Sequence, residues 1–273
     1  MSKSNLINRS ITGLLYGLIL IASLVINYYT LFIFFFIVLI LGLKEFYQLA
    51  EKKDIIPQKT LGFIMSLSIY ISSYLFHLNE KMSYLTLNLV LALTFLIFAV
   101  EIFRSKEISF VNIGTTILGV IYVALPLSLL TFLAFDTNNQ YNYHLTLSLF
   151  ILVWLSDVGG YLAGINFGKH KLLERISPKK TWEGIAGGLV LCILGSYILS
   201  QFFPIMNIYM WLVLGLVVYV SSVIGDLIES MLKRSANIKD SGNILPGHGG
   251  ILDRFDSVLF VIPIVYIFKF FIL

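Results

Sequence analysis

The sequence predicts an all-α, polytopic membrane bundle of about nine transmembrane helices with a cytoplasmic N-terminus. Three observations carry that prediction: high mean hydropathy, a series of long apolar stretches, and cations that fall on one side of the chain's expected path. Mean hydropathy is +0.89, and 58% of the 273 residues are hydrophobic, among them 22 Phe and 15 Tyr. A single soluble domain is excluded at that composition.

A helix needs roughly 20 apolar residues to cross a hydrocarbon layer of about 30 Å. Stretches of that kind run over 9–27, 29–50, 60–77, 84–103, 111–134, 144–167, 182–203, 208–233 and 252–272. Asn27-Tyr28-Tyr29 is a thin separator between the first two, and 60–77 is short for a span. Lys3 and Arg9 ahead of an apolar run resemble the front of a signal peptide. That run is longer than a usual signal core, no A-x-A-like site follows, and another apolar segment comes at once, so a retained first span is expected.

The distribution of Lys and Arg tests this parsing independently of hydropathy. With the N-terminus inside, 17 of the 19 Lys and Arg fall on the cytoplasmic side, and only Lys81 and Lys269 fall on the other. Adding or losing one span midway would destroy that bias. The longest far-side connection, 135–143, contains neither Lys nor Arg. The single Cys192 excludes an internal disulfide framework and a multi-Cys zinc site, and reads as a small core residue.

The chain divides functionally at about residue 145, into N-terminal spans over 1–144 and C-terminal spans with cytoplasmic loops over 145–273, within one continuous membrane domain. Before that point the spans are almost purely apolar, and Lys44, Glu45 and Glu101 read as paired or interfacial groups. Beyond it, Asp157 lies inside the sixth span, followed by Ser177-Pro178-Lys179-Lys180-Thr181-Trp182-Glu183-Gly184 and a polar run over 225–257. Ser177 and Thr181 are candidate helix N-caps, with Pro178 suited to a first helical position.

Helical spacing gives the polar run a geometry. Ser222, Asp226, Glu229 and Lys233 stand at steps of four, three and four, which places them on one helix face. Asp253 and Asp256 stand three apart at the start of the last span. Carboxylates from two helices suit a hard cation such as Mg²⁺, which takes further ligands from substrate phosphates. Lys233, Arg234, Lys239 and His248 then supply countercharge for phosphate. Between the helix ends, Gly249 and Gly250 allow the backbone to approach an anion closely.

Ser230, Lys233, Arg234, Lys239, Asp240, Gly242, Leu245, Pro246, His248, Gly249, Gly250, Ile251, Asp253, Arg254, Phe255 and Asp256 spell S-x-x-K-R-x4-K-D-x-G-x2-L-P-x-H-G-G-I-x-D-R-F-D. That pattern resembles the signature of the phosphatidate cytidylyltransferases, also called CDP-diacylglycerol synthases. The segments around Lys179 and Asp157 are similar to family segments as well, with Ser156, Val158 and Gly160 departing from the commoner ADTGAY wording.

The resemblance implies CMP transfer from CTP to phosphatidic acid, with pyrophosphate released. It implies a catalytic group of Asp226, Asp253, Lys233 and Asp256, with Asp226 and Asp253 holding Mg²⁺ and room for a second cation. Ser177, Lys179, Lys180, Thr181, Glu183, Arg234, Lys239, Asp240, His248, Gly249, Gly250, Arg254 and Asp157 are the expected substrate-binding residues; the cations are not divided between CTP and lipid phosphate. The expected partners are CTP, phosphatidic acid and the bilayer, with no nucleic acid and room for a homodimer. The expected place is the bacterial inner membrane, with the site facing the cytoplasm. Two rivals stand beside this reading: a relative using CTP on another lipid, such as a polyprenol kinase, and a transporter moving an ion past Asp157 and Asp226.

Overall fold

The computed structural model describes residues 3–104, 108–242, 244 and 249–272, with side chains from residue 13 onward apart from Glu80 and Ile272. His248, the Leu245-Pro246-Gly247 before it, and Lys106 lie outside the described residues. The helices are α1 (Lys3–Val25), α2 (Tyr28–Glu51), α3 (Lys59–Phe76), α4 (Glu80–Arg104), α5 (Ser109–Gly119), α6 (Leu125–Leu133), α7 (His144–Phe167), α8 (Trp182–Phe202), α9 (Ile208–Ser235) and α10 (Leu252–Ile272). A π-helical turn, Val120–Ala124, joins α5 to α6 into one rod. Strands β1 (Lys171–Leu173) and β2 (Ser177–Thr181) form an antiparallel hairpin before α8.

Among the described residues, seven helices are long and apolar enough to cross a membrane. The chain is a polytopic helical membrane protein. Two of the nine expected stretches fall outside that set: α1, of which Gly13–Val25 is described with its side chains, and α10, which carries Asp253, Arg254, Asp256 and Lys269.

The thin separator between the first two spans is a real break, made by a reciprocal cap. Asn27 Oδ1 accepts the Thr30 N–H at 3.0 Å, and Thr30 Oγ1 accepts the Asn27 N–H at 3.2 Å. Two otherwise orphaned donors of the α2 N-terminus are thereby satisfied.

The π turn lies beside Tyr47, whose hydroxyl donates to the Thr116 carbonyl at 2.9 Å. A Cβ at Gly62 or Gly119 would run into the Tyr47 ring. Those two glycines therefore seat a large aromatic ring at close range inside the apolar packing.

The β hairpin corrects one expectation. Ser177 and Pro178 are not a helix start: they lie in β2, with Leu173 opposite Ser177 and Lys171 opposite Thr181. The residue before a proline is pushed out of the helical region, which favours extended backbone at Ser177. Thr181 is the N-cap as expected, accepting the Gly184 N–H at 3.2 Å.

Packing sorts the chain into two units, Met1–Phe132 with Ala236–Arg254, and Leu133–Ser235 with Phe255–Leu273. The first has a core of Leu31, Phe35, Leu39, Leu43, Tyr47 and Tyr70, all essentially inaccessible. In the second, α7 and α8 meet through small residues. A Cβ at Gly187 would strike Ala163, and one at Gly159 would strike the Gly187 carbonyl. In an apolar solvent helices associate by such close backbone approach, since lipid offers no hydrophobic driving force between them.

Candidate active site

The second unit holds a cavity of about 250 Å³ lined by Asp157, Lys179, Lys180, Thr181, Ser222 and Asp226, with Gly160, Gly164, Gly184 and Tyr219 among the rest. Three elements deliver its charge. Helix α7 brings Asp157, the hairpin brings Lys179 and Lys180, and α9 brings Asp226. The glycine contact of α7 with α8 sets the first two side by side, because β2 runs directly into the α8 N-terminus.

Lys180 Nζ makes a salt bridge with Asp226 Oδ2, and both side chains are about one-quarter to one-third exposed (26% and 30%). Asp226 also accepts the Ser230 hydroxyl at 3.3 Å. An ion pair at that exposure is worth little in itself and exchanges readily. The cavity therefore presents an ammonium and a carboxylate that can each take a new partner.

Asp256 adds a third acid to this neighbourhood: the carboxylates of Asp226 and Asp157 and the ammonium of Lys233 all act on it electrostatically. It also accepts the Ser257 N–H at 2.6 Å. Close packing brings it there, since a Cβ at Gly225 would press on Phe260 and the Asp256 carbonyl. Lys233 itself pairs with Glu229, one turn earlier on α9 and 2% exposed. Arg234, at the end of α9, is exposed.

Glu183 turns back to organise the hairpin. Its carboxylate accepts the Lys169 N–H at 3.1 Å, the His170 N–H at 3.2 Å and sits 2.6 Å from His170 Nδ1. It thereby fixes the strand that faces Lys179 and Lys180, and it occupies the first turn of α8, where an acid is favoured by the helix dipole.

The remaining expected residues belong to the first unit. Lys239, Asp240 and Arg254 are exposed. Asp253 accepts the Ser241 N–H at 2.9 Å and the Gly250 N–H at 2.7 Å. Gly249 adopts φ +83°, a conformation that a side chain would strain.

Glu45 reads from the sequence as a paired or interfacial group and is given no place in the site. It is 1% exposed, and it accepts hydrogen bonds from Ser241 Oγ at 3.1 Å, Ile251 N at 3.0 Å and Leu252 N at 2.9 Å. The signal was available: an acid in the middle of an apolar helix is costly and needs partners. Glu101, treated in the same way, is 3% exposed and is held by Gln58, Arg104 and Asn112. Lys44, beside Glu45, is exposed as an interfacial lysine would be.

Among the described residues, no three His, Cys, Asp or Glu side chains form a ready-made metal cluster.

The chain matches the cytidylyltransferase family over residues 7–272. It is 36% identical over 262 residues to a protein named phosphatidate cytidylyltransferase from Staphylococcus haemolyticus, covering 95% of this chain and 97% of that one. Proteins of the same name from Staphylococcus epidermidis and Staphylococcus aureus are each 34% identical, over 261 and 262 residues, with the same coverage.

Proposed function

The chain belongs to the cytidylyltransferase family and is a nucleotidyltransferase, and we propose that it transfers CMP from CTP to phosphatidic acid, giving CDP-diacylglycerol and pyrophosphate. The observation that carries this reading is the polar cavity of the second unit, where Lys179, Lys180, Asp157 and Asp226 are gathered within an otherwise apolar chain. The name shared by the relatives supports the choice of lipid phosphate as acceptor.

The chemistry asks for positioning and charge neutralisation more than for a strong base. A phosphate oxygen of the lipid attacks the α-phosphorus of CTP, the bond to the β-phosphate oxygen breaks, and pyrophosphate leaves with that electron pair. The lipid phosphate is already ionised near neutral pH. Lys180 is set to exchange the Asp226 carboxylate for a phosphate oxygen as substrate enters, and Lys179 stands next to it on β2. Which cation meets which phosphate is an outcome of the tests below.

Mg²⁺ is proposed as the cofactor, with Asp226 as its carboxylate in the cavity and Asp253 assigned to it by position in the sequence motif. When bound, it would supply the positive charge that neutralises what develops on the leaving pyrophosphate. Lys233, Asp256, Arg234, Lys239, Asp240, Arg254 and His248 remain in the proposed machinery on the same motif. The proposed topology has nine spans, with the N-terminus and the site on the cytoplasmic side of a bacterial inner membrane; the one-sided Lys and Arg distribution supports that orientation.

The test is an assay of detergent-solubilised protein with labelled CTP, Mg²⁺ and separate lipid acceptors. Formation of a liponucleotide with phosphatidic acid, and of pyrophosphate in equal amount, is the expected result. Release of CDP with a polyprenol acceptor would replace this reading by a lipid kinase, and no CTP-dependent product with any acceptor would leave the transporter reading.

A further inference from the structure

We propose that Glu45, on α2, is a positioning residue for the backbone on either side of the motif's glycine-rich stretch: its buried carboxylate holds Ser241 and the N-terminus of α10 and, through Ser241, fixes the carboxylate of Asp253. This rests on the reading of that stretch and Asp253 as parts of the CMP-transfer machinery.

Burying an ionised carboxylate is costly unless its lone pairs are met by donors. Glu45 is met on one flank by the Ser241 hydroxyl, and on the other by the N–H groups of Ile251 and Leu252. Those last two donors stand at the N-terminus of α10, where backbone N–H groups have no intrahelical acceptor and an anion is favoured. Glu45 thus acts as an N-terminal cap supplied from another helix.

Ser241 carries the grip onward. Its hydroxyl donates to Glu45, while its backbone N–H donates to Asp253. Gly250 mirrors it, donating its N–H to Asp253 at 2.7 Å while lying against Glu45. Residues 241 and 250 are therefore held between two carboxylates.

The glycines confirm how tight the seat is. A Cβ at Gly242 would land on Glu45 Oε1, and one at Gly250 would land on Glu45 Oε2 and Ser241 Oγ. The sequence motif keeps glycine at both places, and the partner that requires it is a residue of α2, far outside the motif. The effect of Glu45 on the chemistry passes through Ser241 and the α10 N-terminus, which it holds.

The experiment compares Glu45→Gln, Glu45→Asp and Gly242→Ala with the unaltered chain in detergent, by hydrogen–deuterium exchange and by steady-state kinetics. Gln keeps the size of the side chain but turns an amide donor toward N–H groups. For Glu45→Gln, exchange within 241–252 should rise roughly tenfold or more as those N–H groups lose their acceptor, while α3 and α9 keep their protection. The kcat should fall roughly 10- to 100-fold, the usual cost of removing a partner that orients a ligand, with KM for phosphatidic acid unchanged. Glu45→Asp should restore part of both losses, and Gly242→Ala should reproduce them without adding to Glu45→Gln in the double variant. Unaltered exchange within 241–252 would overturn the proposal, as would an equal rise across every helix, or Glu45→Asp behaving no better than Glu45→Gln. If the unaltered chain makes no CDP-lipid, the reaction assigned above fails, and the exchange data still decide whether Glu45 holds that backbone.

Discussion

Two carboxylates of this protein do opposite things with similar chemistry. Asp226, in the second unit, faces a cavity and is paired with a lysine side chain that is itself part exposed. Glu45, in the first unit, is sealed from solvent and held largely by backbone N–H groups. A side-chain ion pair at a wet surface is weak and can trade partners. Backbone donors around a buried acid are fixed by the fold, and leaving them unmet is costly. An exchangeable acid suits the cavity where a substrate phosphate is proposed to enter, and a fixed acid suits a place where backbone must be held.

The sharpest way to break the comparison is to neutralise the exchangeable acid. Asp226→Asn should lower CTP-dependent turnover by about 100-fold or more, the scale of losing a preorganised charge contact in group transfer. It should leave thermal unfolding in detergent nearly unchanged, because the partner it loses is a part-exposed lysine. Asp253→Asn is expected to lose turnover on the same scale, and retained activity in either variant would remove that residue from the proposed Mg²⁺ shell.

Lys180→Met comes next. It should raise KM for CTP by roughly 10- to 100-fold, the worth of one hydrogen bond to a charged group. A change confined to phosphatidic acid would reassign Lys180 to the lipid phosphate.

Glu101→Gln sharpens the comparison from within the first unit. Glu101 is as deeply buried as Glu45, and it ties Gln58, Arg104 and Asn112 around the loop ahead of α3. The variant should cost about 1–3 kcal/mol of stability, as a buried charged network loses an acceptor, with kcat for the folded fraction unchanged. A large fall in kcat would mean that burial of an acid, and not its grip on the motif backbone, is what the chemistry needs.

The smallest effect is expected at Cys192. Its thiol is buried and donates weakly to the Gly215 carbonyl at 3.2 Å. Cys192→Ser should keep full turnover in the labelled-CTP assay.

Much of this was legible in the chain. Breaks between helices fall where polar residues interrupt the apolar stretches, even at Asn27, where a short side chain caps α2. Asp157, Lys179, Lys180, Thr181 and Asp226 were named from spacing and motif, and they line one cavity. The extended Ser177-Pro178 was misread as a helix start, because capping and strand preferences overlap for Ser and Thr next to proline. Glu45 was read as paired or interfacial and given no site role, because one acid in an apolar helix looks the same whether it reaches the interface or binds distant backbone N–H groups.

By itself the sequence determined the class, the helices and the chemical kind of the site, since hydropathy, charge bias and motif spacing are properties of neighbouring residues. Only the tertiary structure decided the partners. Glu45 and Ser241 stand 196 positions apart, and Lys180 reaches Asp226 from a hairpin ahead of a different helix. No local periodicity encodes such pairs; they follow from how packed helices bring distant donors and acceptors to one place, and burial then forces each of them to be satisfied.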